Sequence, residues 1–285
     1  MSDSCYAYGL HKDDGVIDRL MYGGPPPQSV ISCDVAEMLT FKLLQPHIDA
    51  FFAVEDNLTL EHSIRVAAIA RAGARFMNLS PYLQDIVEVS GLMHDIGKTD
   101  PQIAPIIKSG RRLTAEERPI VNYHAQAGFE RLFDAEPNIG SSLRQCLGGF
   151  MGHVALDVLY SHANARNPSQ RALDSNYIRE LVARKVITDD DALYHLRSTT
   201  VQLLTVADVT DALISTGHER AYRAHRLEFE RGTARLGPDG VQELLEQTVE
   251  VSGIDVGAIV TFALQNQQKL NGRAAAIAKW FYAEQ

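Results

Sequence analysis

The apolar residues of this chain recur with the 3.6-residue period of α-helices over most of its length. The pattern is clearest over residues 60–77 and 201–215, and the second segment is apolar almost all round, as a central buried helix should be. Alternating runs rich in Val, Ile and Thr, which indicate β-strands, do not occur in the sequence. The pattern therefore predicts an all-α fold, a helical bundle.

Capping signals predict where individual helices begin. Ser80 followed by Pro81 combines an N-cap residue with a proline at the first helical position, so a helix should begin there. The segment Thr114-Ala-Glu-Glu117 is a capping box, and it predicts one helix that begins near Ala115 and carries both His124 and Gly128. The glycine would leave room for another backbone or a ligand beside that histidine.

The rest of the chain divides less clearly. Residues 160–176 are polar and broken, which is typical of a long functional loop, and Gly253 and Asn271-Gly272 should interrupt the C-terminal helices. We expect three parts: an N-terminal extension over 1–54, a main helical domain over 55–250, and C-terminal helices over 251–285 that pack on the same body.

Composition excludes several classes of function. The chain has 285 residues and a formal net charge of −9, which argues against binding to a nucleic acid polymer. Its three cysteines form no CxxC pair, so neither a disulfide framework nor a thiolate zinc site is expected. Neither a signal peptide nor an apolar run long enough to span a membrane is apparent. We expect a cytoplasmic protein.

The pair His94-Asp95 stands inside an otherwise apolar stretch. Burying a neutral polar group without a partner costs roughly 2–7 kcal/mol, and a charge costs more, so something should bind this pair. Lys98 follows four residues after His94, and on a helix all three side chains would reach one side. An imidazole, a carboxylate and an ammonium group suit a metal ion together with an anionic substrate.

Other candidate ligands are distributed along the chain. Asp208 lies in the middle of the apolar helix over 201–215 and needs a partner, for which a metal ion is the simplest choice. Asp211, three residues later, is a candidate to support Asp208 as a hydrogen-bond acceptor or to cap a neighbour. His153 is surrounded by apolar neighbours, so it is either paired in the core or bound to a metal. The full set is His62, His94, Asp95, His124, His153 and Asp208.

This set resembles the HD superfamily of metal-dependent phosphohydrolases, helical bundles in which an aspartate bridges two metals, and is most similar to its HD-GYP branch, which cleaves cyclic dinucleotides. The resemblance covers roughly Leu58 to Val241. Its motifs are Leu113-Thr-Ala-Glu-Glu117, His124-Ala-Gln-Ala-Gly128, Ala207-Asp-Val-Thr-Asp-Ala-Leu213, Arg220-Ala-Tyr-Arg223 and Gly237-Pro-Asp-Gly-Val241.

The resemblance implies that the six candidate residues hold two divalent transition-metal ions, with Asp95 as the bridge and Lys98 beside it in catalysis. The nitrogen-rich ligand set suits iron or manganese better than magnesium. Lys98 and the pair Arg220 and Arg223 would face the phosphate of a small anionic substrate. The resemblance leaves the oligomeric state open.

The chain also departs from the HD-GYP pattern. Gly152-His153-Val154 replaces two consecutive histidines and a glutamate, and Tyr160-Ser161-His162 replaces Gly-Tyr-Pro. Leu58 stands where some members have a glutamate. The missing groups serve a third metal in some members, so the pattern favours two metals. The altered segment over 152–162 further predicts that cyclic di-GMP is not the preferred substrate.

Three functions fit these residues. The first is a dimetal phosphodiesterase that acts on a cyclic dinucleotide or a related nucleotide through attack of a metal-bridging hydroxide on phosphorus. The second is a diiron oxygenase on the HD scaffold. The third is a catalytically degenerate, nucleotide-binding signalling protein, against which the complete ligand set argues, because unfilled buried ligands are costly.

Overall fold

The structure is a computed structural model. It describes residues 46–51, 57–111, 113–134, 141–162, 168–184, 186–187, 189, 198–214, 241–243, 245 and 248–283. Most of the predicted N-terminal extension over 1–54 and the arginines at 220 and 223 lie outside these ranges.

Helices account for the regular structure of the described residues. Nine α-helices are labelled in chain order: α1 (Asn57–Phe76), α2 (Pro81–Met93), α3 (Ala104–Lys108), α4 (Glu117–Asn122), α5 (His124–Asp134), α6 (Ser141–Leu159), α7 (Pro168–Ala183), α8 (Thr199–Ile214) and α9 (Val256–Ala283). A 3₁₀ helix, Ile96–Thr99, follows α2. The described residues form no β-strand, which confirms the all-α prediction.

The helices pack around two groups of buried apolar side chains. Helix α1 contacts α2, α8 and α9, whereas α6 packs against both α2 and α5. The first apolar group lies chiefly among α2, α5, α6 and the second half of α9, and the second lies among α1, α8 and the first half of α9. Helix α1 contributes side chains to both groups, so it is packed on two of its faces. None of the helices in the described ranges is long and apolar enough to cross a membrane.

The predicted start signals are confirmed. Ser80 Oγ accepts a hydrogen bond from the backbone N–H of Leu83, and α2 begins at Pro81. In the capping box, Glu117 N donates to Thr114 Oγ1 at 3.2 Å, and Thr114 N donates back to Glu117 Oε2 at 2.9 Å. These bonds satisfy backbone donors that a helix start otherwise leaves unpaired.

Two predictions for the second half of the chain were wrong. Residues 168–176 belong to α7 rather than to a loop, because proline at the first helical position begins a helix and the later turns bury Leu181 against the core. The expected break at Asn271-Gly272 does not occur, and α9 is continuous. An interior glycine costs only about 1 kcal/mol relative to alanine, and the buried Leu270 and Ala274 on either side outweigh that cost.

The helix predicted from Ala115 through His124 is divided. Helix α4 ends at Asn122, Tyr123 is its C-cap, and α5 begins at His124. Gly253, where a break was predicted, has a φ of +73° and precedes α9. The predicted division into 1–54, 55–250 and 251–285 stays a prediction.

Candidate metal centre

A close contact between α1 and α2 brings two of the candidate histidines together. A Cβ atom added to Gly91 would lie 2.7 Å from Ala67 Cα, so only glycine allows the two backbones to approach this far. His62 lies on α1 and His94 caps the end of α2. Their ring centroids are consequently 5.2 Å apart, in an edge-on arrangement.

A second close contact places the third histidine. A Cβ atom on Gly97 would lie 1.8 Å from the carbonyl oxygen of His124 and 2.6 Å from Gly128 N. The 3₁₀ helix therefore lies directly against the start of α5, and it leaves Asp95 facing His124. The room beside His124 that Gly128 was expected to leave is occupied by the backbone at Gly97.

The three imidazoles share one hydrogen-bonding arrangement. His94 Nδ1 is 2.8 Å from the carbonyl oxygen of Gly91, and His124 Nδ1 is 2.6 Å from that of Val121. Because a carbonyl only accepts, Nδ1 of both rings carries the proton, and Nε2 of a neutral ring presents a lone pair. His62 Nδ1 is likewise held at 2.7 Å by a carboxylate oxygen of Asp211.

All three Nε2 atoms face Asp95, on two different sides. Oδ2 of Asp95 is 3.4 Å from His94 Nε2 and 3.8 Å from His62 Nε2, whereas Oδ1 is 3.5 Å from His124 Nε2. We call these the Oδ2 side and the Oδ1 side. Asp208 Oδ1 completes the Oδ2 side, at 3.0 Å from His62 Nε2 and 3.6 Å from His94 Nε2.

A buried ion pair holds His62 in place. Arg65 donates to both oxygens of Asp211, from Nε at 2.8 Å and from Nη2 at 3.1 Å. Both residues are buried, and Asp211 is 1% exposed. Asp211 is an acceptor, as expected, but it supports His62 rather than Asp208, and Arg65, which the sequence did not single out, fixes that carboxylate.

The electrostatics of the Oδ2 side favour positive charge. Burial opposes charging of His62, but hydrogen bonds to Asp208 and Asp211 outweigh it and raise the pKa of His62 to about 9. Burial also opposes ionisation of Asp95, yet the nearby His94 and Lys98 hold the pKa of that carboxyl well below its usual range. The site therefore keeps its carboxylates ionised and favours positive charge beside them, which a metal ion at His62 Nε2 would supply in place of the proton.

The donor set of the Oδ2 side fits a divalent transition metal. One donor atom each from His62, His94 and Asp95 lies within 4.8 Å of the others, and all three residues are buried. His94 Nε2 is buried without a hydrogen-bond partner among the described residues. A metal ion would satisfy this lone pair, and imidazole nitrogens with carboxylate oxygens are ligands that iron, manganese and zinc accept.

Lys98 lies at the edge of this centre. Its Nζ donates to Asp95 Oδ2 at 2.5 Å, and its side chain is 22% exposed. The prediction that His94, Asp95 and Lys98 share one side is confirmed, because the 3₁₀ helix keeps the three-residue spacing on one face. The ammonium group thus reaches both the carboxylate and solvent.

A fourth histidine, His162, contacts His124, although the sequence analysis assigned it no role. His162 Nε2 lies 2.9 Å from His124 Nε2, and the ring centroids are 4.9 Å apart. Burial lowers the pKa of His162, opposed by the carboxylates of Asp208 and Asp95. Burial, reinforced by His162, lowers the pKa of His124 to about 3. The available signal in the sequence was His162 itself, a histidine at the position where the resembling family has the proline of Gly-Tyr-Pro.

His153 lies in a different polar cluster. Its Nε2 is 3.4 Å from Thr200 Oγ1 and 3.7 Å from Asp157 Oδ1. Asp157 is buried and also accepts hydrogen bonds from Thr200 and Ser90. The other predicted ligands, His62, His94, Asp95, His124 and Asp208, are brought together, and the structure does not describe Arg220 or Arg223.

No curated protein matches the chain. Two solved structures of the Listeria monocytogenes phosphodiesterase PgpH HD domain are similar to it: one in complex with cyclic-di-AMP, 16% identical with a TM-score of 0.41, and one described by its HD domain alone, 14% identical with a TM-score of 0.40. Each match covers 84% of this chain, and 94% and 96% respectively of those chains.

The family comparison is more extensive. The HD domain model matches residues 59–213, more than half of the chain and nearly the whole span from α1 to α8 that carries the centre. The chain therefore belongs to the HD domain family, the metal-dependent phosphohydrolases that its motifs resemble.

Proposed function

We propose that the chain is a dimetal phosphodiesterase of the HD-GYP type that acts on a cyclic dinucleotide or a related nucleotide. The observation that carries the proposal is the arrangement around Asp95. Three histidines are held through Nδ1, and their Nε2 atoms face opposite oxygens of one buried carboxylate. Neutral imidazoles held through one nitrogen are the usual metal ligands of proteins.

In this proposal each side of Asp95 contributes to one metal site. His62, His94 and Asp208 would hold an ion on the Oδ2 side, and His124 would hold a second on the Oδ1 side. Iron or manganese suits this mixture of nitrogen and oxygen donors better than magnesium. Two such ions, when bound, supply hydroxide near neutral pH and neutralise charge on phosphoryl oxygens.

The protein's own groups then orient the substrate. Lys98 keeps its ammonium group beside Asp95 and partly open to solvent, where an anionic phosphate can approach it. A positive group at that place favours the charge that develops on phosphoryl oxygens in the transition state. Arg220 and Arg223, which follow α8 in the sequence, are proposed as further phosphate contacts.

The proposal is tested by hydrolysis under nitrogen. Purified protein is freed of metal and reloaded with Mn²⁺ or Fe²⁺, and it is assayed on cyclic dinucleotides, cyclic mononucleotides and a chromogenic phosphodiester. We expect about two ions per chain and metal-dependent release of phosphomonoester. Asp95→Ala should lose metal and activity together, because both sides of the centre share this carboxylate.

Three results would contradict this function. Failure to bind iron or manganese after reconstitution would remove the metal centre. Oxygen-dependent turnover of another substrate, without hydrolysis of any phosphodiester in the panel, would move the protein to the HD-type oxygenases. Metal binding with neither reaction would favour the nucleotide-binding signalling role.

A further inference from the structure

We propose that His162 is a metal ligand, and that it completes the Oδ1 side of Asp95 together with His124. The inference rests on the proposed dimetal centre and assigns one of its ligands. The sequence pattern gave that place to His153, whereas the contacts of the folded chain favour a residue nine positions later.

The local geometry carries the first part of the argument. His124 Nδ1 is engaged by the carbonyl oxygen of Val121, so Nε2 is the nitrogen left to act as a ligand. His162 Nε2 lies 2.9 Å from that atom, and Asp95 Oδ1 lies 3.5 Å from it. A second imidazole nitrogen and a carboxylate oxygen are therefore both close to His124 Nε2, and a transition metal accepts such a set of donors.

The second part of the argument is the level along α8 at which the turn that bears His162 is attached. Thr205 Oγ1 donates to the carbonyl oxygen of Ser161 at 2.9 Å, which ties the turn that bears His162 to α8. Thr205 precedes Asp208 by three residues, or about 4.5 Å along the helix axis. The turn is thus attached one helical turn from a carboxylate of the centre. Tyr160, which begins this turn, is 2% exposed, so packing also restrains it.

His153 approaches α8 at a different level. Its contact on that helix is Thr200, eight residues before Asp208, or about 12 Å along the axis. Asp157 and Thr200 also hydrogen-bond to one another at 3.0 Å, so His153 adjoins a polar pair that is already formed. This cluster gives His153 a structural function, which is to cover a buried carboxylate.

The sequence explains why such an exchange would be needed. The resembling family has two consecutive histidines where this chain has Gly152 and His153. One imidazole is therefore missing from α6, and His162, just beyond the end of α6, supplies an imidazole to the same centre. The segment that contacts the substrate in the resembling family would in this chain provide a metal ligand.

The experiment compares His162→Ala with the matched variant His153→Ala. Both proteins are stripped of metal, reloaded anaerobically with Mn²⁺ and measured by elemental analysis and by competition with a chromophoric chelator. Replacing even an indirect partner of a metal ligand weakens metal binding about 10–100-fold. We therefore expect His162→Ala to weaken the second ion at least about tenfold and to retain the first, while His153→Ala binds both ions normally.

Two further measurements keep the result interpretable. Electron paramagnetic resonance of the Mn²⁺ forms should show two coupled ions in the parent protein and a single uncoupled ion in His162→Ala. His162→Gln, which preserves more of the side-chain volume, should behave like His162→Ala. Circular dichroism of the metal-free proteins checks that each variant is folded.

The outcomes separate this inference from the proposed function. Normal binding of two ions by His162→Ala and His162→Gln would overturn the inference, and loss of one ion in His153→Ala alone would return the role to His153. If the parent protein binds only one ion and His162→Ala binds it equally, the inference also fails. A parent protein that binds no metal would instead overturn the dimetal function itself.

Discussion

The ion pair between Arg65 and Asp211 provides the most quantitative prediction. Asp211 accepts two hydrogen bonds from Arg65 and one from His62, and it is 1% exposed. Asp211→Asn removes the charge but keeps a side-chain oxygen for His62. Arg65 would then be a buried cation without its counter-ion, and breaking a buried pair in this way costs about 3–5 kcal/mol.

The second variant of the cycle, Arg65→Met, removes the cation while filling most of its volume. Alone it leaves the Asp211 carboxylate with His62 as its charged partner among the residues that the structure describes, so it should also destabilise the protein. In Arg65→Met/Asp211→Asn neither buried charge remains, and we expect the double variant to cost at least about 2 kcal/mol less than the sum of the single variants.

Metal affinity should respond differently from stability. Asp211 holds His62 Nδ1, and loss of such a partner lowers metal affinity by about 10–100-fold. Removing Arg65 as well does not restore the negative charge beside His62. The double variant should therefore recover stability without recovering metal affinity.

Urea unfolding in the presence of a chelator, followed by circular dichroism at 222 nm, measures the free energies of unfolding. Glu180→Gln is the control, since its partner Arg184 and Glu180 have side chains 62% and 60% exposed, and exposed pairs contribute about 0–1 kcal/mol. The reasoning is refuted if the two substitutions at Arg65 and Asp211 add within about 0.5 kcal/mol, or if Asp211→Asn costs no more than the control.

Three further predictions follow from single positions. Gly97→Ala should unfold the site or abolish metal binding, because its Cβ would overlap the His124 carbonyl oxygen. A Cβ added at Gly152 would meet no atom from another part of the described structure within 4 Å. Gly152→Ala should therefore be neutral or stabilising by up to about 1 kcal/mol by urea unfolding. Lys98→Met should lower kcat while metal content by elemental analysis stays unchanged; unchanged kcat would remove Lys98 from catalysis. Burial, reinforced by Arg131, lowers the pKa of His47 to about 4. The unfolded state therefore binds the proton more tightly, and stability from this residue is present above about pH 6.5 and falls as the pH drops toward 4. His47→Leu should remove this part of the pH dependence and, because neither ring nitrogen has a hydrogen-bond partner among the described residues, should raise the urea midpoint at pH 5; a lower midpoint would contradict the assignment.

The sequence by itself determined the features that depend on neighbouring residues. The helical period predicted the all-α fold, and Ser80 and Thr114 marked helix starts because each cap bonds within three residues. The grouping of His94, Asp95 and Lys98 followed from their spacing alone. The order of ligand-type residues in the resembling family selected His62, His124 and Asp208 from among all the histidines and carboxylates of the chain.

Only the tertiary structure decided which other groups reach the centre. The approach of Gly97 to His124, and the attachment of Ser161 to Thr205 on α8, join positions far apart in the sequence. No local pattern of polarity encodes such contacts. His162 is therefore placed beside His124, and His153 beside Thr200, by the way the end of α6 packs on α8. Helix period and capping are short-range properties, whereas a metal centre is assembled from side chains whose distances depend on the packing of the whole bundle.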